Sequence, residues 1–182
     1  MAAETLNAVL LRRTRFSDTS LIISWFSRER GKLKTVAKGA LRAKSNFAGK
    51  LDLFFQCELS VSWSQRSELH TLREVMLSEP FAGIRKHYSN TLAAGYFAEL
   101  VEETTEPEHP ETAIYELLIR AFSYLQAKPA TSRAVFFFEQ ELAKTLGLES
   151  SKPDRAADYL LHSLQRTRTS RVKLLTLLRG ME

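Results

Sequence analysis

At Pro80 the hydrophobic pattern changes period, and that switch constrains the fold of this 182-residue chain more than any other feature. Before it, apolar residues alternate with polar ones or sit in short β-branched and aromatic runs. In Cys57–Trp63 they fall at 57, 59, 61 and 63, opposite Glu58, Ser60 and Ser62, as in a strand with one buried face. That segment lies inside a longer strand-like run, Leu53–Ser64, and four others are Leu6–Arg15, Thr19–Phe26, Gly31–Lys38 and Glu68–Ser78. The polar stretch Arg28-Glu29-Arg30-Gly31 predicts a hairpin between two of them. After Pro80, Ile84, Tyr88, Leu92, Tyr96 and Leu100 recur every four residues, with Ser78-Glu79-Pro80 as the expected helix entry. The acidic stretch Glu102–Glu111, broken by Pro107 and Pro110, reads as a solvated linker to a second helix with the stripe Ile114, Leu117, Leu118, Ala121 and Leu125. Ser132 is the expected cap of a third helix, and Gly147 stands where a left-handed C-terminal residue belongs. Two more helices are expected near Pro153–Arg168 and Arg171–Arg179.

Five short strands in about 80 residues fit a small closed antiparallel barrel. The expected class is therefore α+β. An N-terminal five-stranded OB-fold barrel, as the DNA-binding domain, is expected over residues 1–80, and an α-helical bundle domain for partner docking over residues 81–182. Single-stranded nucleic acid is a common ligand of such barrels.

Charge points the same way. Residues 1–80 hold 13 Lys/Arg against 8 Asp/Glu, whereas residues 81–182 hold 13 of each, so the net +5 belongs to the first half. Between Arg28 and Lys50 eight cations face one carboxylate, Glu29. In Gly31–Lys38 the three lysines take even positions, so a strand would present them on one face. Beyond Gly39, Arg42, Lys44, Ser45, Asn46 and Phe47 suit a mobile loop able to close over phosphates. The expected DNA contacts are Arg28, Arg30, Lys32, Lys34, Lys38, Arg42, Lys44 and Lys50, with Arg12, Arg13 and Arg15 as an extension. Phe16, Trp25 and Phe47 are candidate stacking residues, and Phe47, flanked by polar residues, is the best placed.

No catalytic, metal or cofactor site is expected. His70, His87, His109 and His162 are dispersed, and the single cysteine, Cys57, lies on the apolar side of its strand as a small buried hydrophobe. The sequence contains no P-loop, dinucleotide fingerprint or GxSxG elbow. No apolar run reaches membrane-spanning length and Met1-Ala2-Ala3-Glu4 has no signal-peptide pattern, so the cytoplasm is the expected compartment.

The ordered motifs Phe16-Ser17-Asp18-Thr19-Ser20, Arg28-Glu29-Arg30-Gly31-Lys32-Leu33, Val36-Ala37-Lys38-Gly39-Ala40 and Arg42-x-Lys44-Ser45 resemble the RecO family of bacterial recombination mediators. Leu51, Phe54, the join at Glu79–Ile84, Leu146-Gly147 and Thr169-Ser170-Arg171 extend the likeness. Many members carry a four-cysteine zinc module after the position of Gly147. Here Leu148–Arg155 reads LESSKPDR, so a short, zinc-free member is expected. The resemblance implies a non-enzymatic, nucleoid-associated repair protein that binds single- and double-stranded DNA and anneals complementary strands. It also implies partnership with RecR, contact with the acidic tail of single-stranded-DNA-binding protein, and loading of the recombinase in RecF-type gap repair. The competing expectation is an OB-fold adaptor whose basic face takes an acidic protein tail, with little DNA binding.

Overall fold

The computed structural model describes residues 4–148, 160–162 and 164–181, which form two compact units. The first comprises Met1–Phe81 and Thr105–Tyr115, and the second comprises Ala82–Thr104 and Glu116–Glu182.

In the first unit, strands β1 (Glu4–Arg15), β2 (Leu21–Ser27), β3 (Gly31–Ala37), β4 (Gln56–Ser62) and β5 (Leu69–Glu79) close into a barrel in the order β1-β2-β3-β5-β4. Every pairing is antiparallel except β3 with β5, which runs parallel from Lys34↔Leu69 to Val36↔Thr71. The alternation seen in the sequence carries through. Cys57, Leu59 and Val61 point inward to meet Leu6, Leu10, Ile23, Trp25, Leu33 and Leu72. Trp25 is fully buried, and its indole N–H donates to Thr35 Oγ1 at 2.9 Å, so the one polar atom of a large core side chain is satisfied. Burial pushes the Cys57 thiol up to about 12, which keeps it protonated as the sequence pattern implied.

The hairpin between β2 and β3 forms as expected. Ser27 and Glu29 build its turn: Ser27 Oγ accepts from the N–H groups of Glu29 and Arg30, and Glu29 accepts from the Asn7 backbone and amide. Gly31 follows at φ +63°, and a side chain there would also strike the carbonyl of His109.

That contact belongs to a segment docked on the barrel. The stretch Glu102–Glu111 is exposed over residues 106–110 but is not a free linker, because Glu102 and Glu103 belong to a helix and residues 105–115 belong to the barrel unit. Glu108 N–H donates to Lys32 O at 2.8 Å, and Pro107 bridges to Lys32 in parallel fashion. The Glu108 carboxylate meets Nε2 of buried His70 at 2.9 Å, while His70 Nδ1 accepts from Ser64 N–H at 3.1 Å. The Ser64 bond assigns the proton to Nε2, so the imidazole donates to Glu108.

The second unit starts with a 3-10 turn, Ala82–Lys86, followed by α1 (Tyr88–Thr104), α2 (Thr112–Ala127, whose first four residues belong to the barrel unit), α3 (Ser132–Thr145) and α4 (Gln165–Arg179). Ser78 does not open a helix, since β5 continues to Glu79. The four-residue stripe is also incomplete: Ile84, Tyr96 and Leu100 are buried, yet Tyr88 is 70% exposed. Steps of four residues overshoot one turn by about 40°, so such a stripe drifts round the helix. Burial of Ala93, Ala94, Tyr96, Phe97, Leu100 and Val101 makes α1 the core helix of its unit. Thr131, not Ser132, caps α3 by accepting from Ala134 N–H at 3.2 Å, and Gly147 takes the expected left-handed φ of +72°. The helix expected near Pro153–Arg168 lies largely outside the described residues, and its last positions belong instead to α4, which starts at Gln165 rather than Arg171.

A buried ion pair ties α3 to α4. Glu139 is 1% exposed and accepts from Arg171 Nε at 2.6 Å and Nη2 at 3.0 Å, while Tyr96 O–H donates to the same carboxylate at 2.6 Å. Burial and the neighbouring Glu139 charge push the Tyr96 phenol far up, so it stays a donor. Arg171→Ala would leave the carboxylate buried with one neutral partner. The expected loss of unfolding free energy is about 3 kcal/mol by chemical denaturation. A loss below about 1 kcal/mol would mean that solvent already screens the pair.

Candidate nucleic-acid interface

The structure divides the expected cations into two groups along β3. Nearest the hairpin, Arg28 and Arg30 are exposed, but the Arg30 guanidinium lies over the Trp63 ring, 5.2 Å from its centre. Lys32 is half-buried, and its ammonium donates to the carbonyl of Thr105. The docked segment 105–115 thus occupies this end of the strand, and the three lysines do not form one open row.

Further along, Lys34 is exposed on the outer side of β3, paired with Ser24 on one side and Leu69 on the other. Past the strand end, exposed Lys38, Arg42 and Lys44 line one notch of about 220 Å³ together with Ser45, Asn46 and Arg73. Arg73 was not among the expected contacts. Nothing local marks it, since it stands far from the cluster on β5 and reaches Lys38 only through the β3–β5 register. Val36 pairs with Thr71, so two further residues along the parallel strands bring Lys38 beside Arg73 on the outer face. Arg73 Nη2 also donates to Ser62 Oγ at 3.4 Å.

The loop from Lys38 to Lys50 is a chain of hydrogen-bonded turns. Arg42, Ser45, Ala48 and Lys50 each donate a backbone N–H to the carbonyl three residues back, at 3.1 Å in every case. Gly39, at φ +71°, lets the Arg42 side chain fold across it. Phe47 is corrected from a stacking residue to an anchor. Only 9% exposed, it joins the barrel core and floors the notch from within. Lys50 is half-buried and does not line the notch.

The stacking candidates therefore reorder. Trp25 and Phe47 are core, whereas Phe16 is 58% exposed at the turn after β1. Of the arginines before it, Arg13 donates to Leu51 O at 3.0 Å and pairs with Asp52, and Arg15 pairs with Asp18 at 3.2 Å. Among the described residues no three His, Cys, Asp or Glu form a group able to hold a metal ion, and no helix is long and apolar enough to cross a membrane.

The helical unit carries a different surface. A groove of about 310 Å³ is lined by Phe97, Leu117, Tyr124, Phe137 and Phe138, with Arg120 and Arg133 at the same groove. Phe97 and Phe138, both buried, stack at 4.1 Å beneath it, while Phe137 is exposed.

If His70 and Glu108 hold the segment on β3, His70→Ala should raise amide hydrogen exchange across residues 105–111 at least tenfold. An unchanged protection pattern would assign the anchoring to Gly31 and the Lys32 backbone instead.

Residues 1–81 match the family model described as "Recombination protein O N terminal", and residues 85–151 match "Recombination protein O C terminal". The chain is similar to the DNA repair protein RecO of Rhodopirellula baltica, at 26% identity over 140 residues covering 77% of this chain and 52% of the relative. The corresponding protein of Syntrophus aciditrophicus is 30% identical over 138 residues, 76% of this chain and 53% of the relative. That of Pelobacter propionicus is 30% identical over 151 residues, 83% of this chain and 61% of the relative. The chain thus spans between half and two thirds of the length of these relatives.

Proposed function

The chain belongs to the RecO family, and on that premise we propose that it is a DNA repair and recombination mediator whose barrel binds DNA through the notch beside β3. The observation that carries this reading is the convergence of Lys38, Arg42, Lys44 and Arg73, from a loop and a distant strand, on one exposed concavity. Four cations at one place suit a phosphate chain, and they recognise backbone rather than base sequence. Such a surface accepts single strands and duplexes alike. By screening two polyanions at once it lowers the cost of bringing complementary strands together, which is the physical content of annealing. The role is that of a mediator without a chemical step of its own, cytoplasmic and nucleoid-associated, acting with RecR to help load the recombinase on gaps.

The helical groove supports the second part of the proposal, docking of the acidic tail of single-stranded-DNA-binding protein. A receptor for such a tail needs a cation beside apolar surface, and the helical unit offers Arg120, Arg133, Lys144 and Arg171. Arg171 is committed to Glu139, and only Arg120 and Arg133 line the apolar groove. A tail with carboxylates and a terminal aromatic would set its ring against the exposed Phe137 and Tyr124, over a floor of buried Phe97 and Phe138, and its charges against the two guanidinium groups.

Two experiments test these assignments. With four phosphates neutralised, log K for a single strand should fall against log salt with a slope near −3, and the variant Lys38→Ala/Arg42→Ala/Lys44→Ala should flatten it by about 2. Lys32→Ala should change it by much less, because that ammonium is already engaged. An unchanged slope in the folded triple variant would move the DNA site elsewhere. For the tail, Arg120→Ala/Arg133→Ala should weaken binding of an acidic peptide ending in an aromatic by about a hundredfold or more, about one charged hydrogen bond per arginine. Loss of peptide binding in the notch variant, with the groove variant unaffected, would favour the competing adaptor role of the barrel.

A further inference from the structure

The notch is one end of a longer row on the barrel surface. Phe16 N–H donates to Ser20 O at 3.0 Å, which carries the β1–β2 register one residue past Arg15↔Leu21. Ser20 in turn lies one residue past Leu21↔Ala37, and its Oγ accepts from Gly39 N–H at 3.4 Å, so it sits beside Lys38. Lys38 stands next to Arg73 by the β3–β5 register. Phe16, Ser20, Lys38 and Arg73 therefore succeed one another across four neighbouring strands of one face. With strands about 4.8 Å apart, the Phe16 and Lys38 backbones are roughly 10 Å from each other.

The row pairs an apolar end with a cationic end. Phe16 is 58% exposed and Leu41 48% exposed, and the two segments are stitched together by the Leu41 N–H bond to Thr19 O at 2.9 Å. Ser20, the residue between Phe16 and Lys38 in this row, carries only a small side chain. An exposed aromatic held on a closed turn is a poor device for stability and a suitable one for stacking.

We propose that Phe16 stacks on an unpaired base of the strand whose phosphates lie in the Lys38–Arg42–Lys44–Arg73 notch. The row is then a reader of single-strandedness. This inference rests on the DNA-binding role above and adds to it the residue that would tell an unpaired base from a paired one. Bases in a duplex are stacked on their neighbours and present no face to Phe16, whereas every base of a single strand has a free π-face. The phosphate notch itself draws no such distinction.

The test uses the full chain with three probes at one salt concentration: a thymidine oligonucleotide, an oligonucleotide of equal length with an abasic backbone, and a duplex. Loss of one stacked base costs about tenfold in affinity. Phe16→Ala is expected to weaken the thymidine probe about tenfold and the other two by less than twofold. Phe16→Trp is expected to restore single-strand affinity. Equal weakening on all three probes, or none on the thymidine probe, overturns the stacking role. If the thymidine probe is unaffected while Lys38→Ala/Arg42→Ala/Lys44→Ala still weakens all three, DNA binding by the notch stands and only the base platform falls. Failure of the unmodified protein to bind any probe would overturn both.

Discussion

The parallel pairing of β3 with β5 is the constraint on which this barrel depends. It spans only Lys34–Val36, yet it closes the cylinder and decides what lies on either side of it. Beyond Val36 it brings a distant arginine beside Lys38. Before Lys34 it stops short, so β3 would offer an open edge at Lys32. Backbone groups left at such an edge seek partners. Residues 105–108 supply them, through the Glu108 N–H bond to the Lys32 carbonyl and the bridge at Pro107.

This edge repair explains why a continuous basic stretch in the sequence becomes two unequal surfaces. At the hairpin end, cations are absorbed into the protein itself: Arg30 over Trp63, and Lys32 onto the Thr105 carbonyl. At the opposite end the loop after β3 is held by an internal plug, Phe47, so its polar residues project outward around a fixed concavity. Charge density in a sequence counts cations. The fold decides which of them are already spent.

Much of the architecture was legible in the sequence because it rests on period. Alternation at 57, 59 and 61 gave one inward face, and the switch at Pro80 marked the start of helices. What the sequence hid is what depends on distance along the chain. A phenylalanine among polar neighbours looks exposed until one knows that it plugs a core, and no local feature separates Phe47 from Phe16. Pro and Glu together suggested a solvated linker over Glu102–Glu111, and residues 106–110 are exposed, but their docking was not legible. The segment answers an edge about 75 residues away, and Arg73 likewise joins its cluster only through strand pairing.

The late arrival of that edge cover sets the order of events during synthesis. A ribosome adding about 5–20 residues each second needs roughly 2–7 s to pass from residue 81 to residue 115. All five strands have then been made, while the partner of Lys32 has not. In that interval the nascent barrel carries one unpaired strand margin, the geometry that recruits another chain. A fragment ended at residue 81 would lack that cover, because the compact unit that holds the barrel is discontinuous in sequence. Its completion passes through the synthesis of α1, a helix belonging to the other unit.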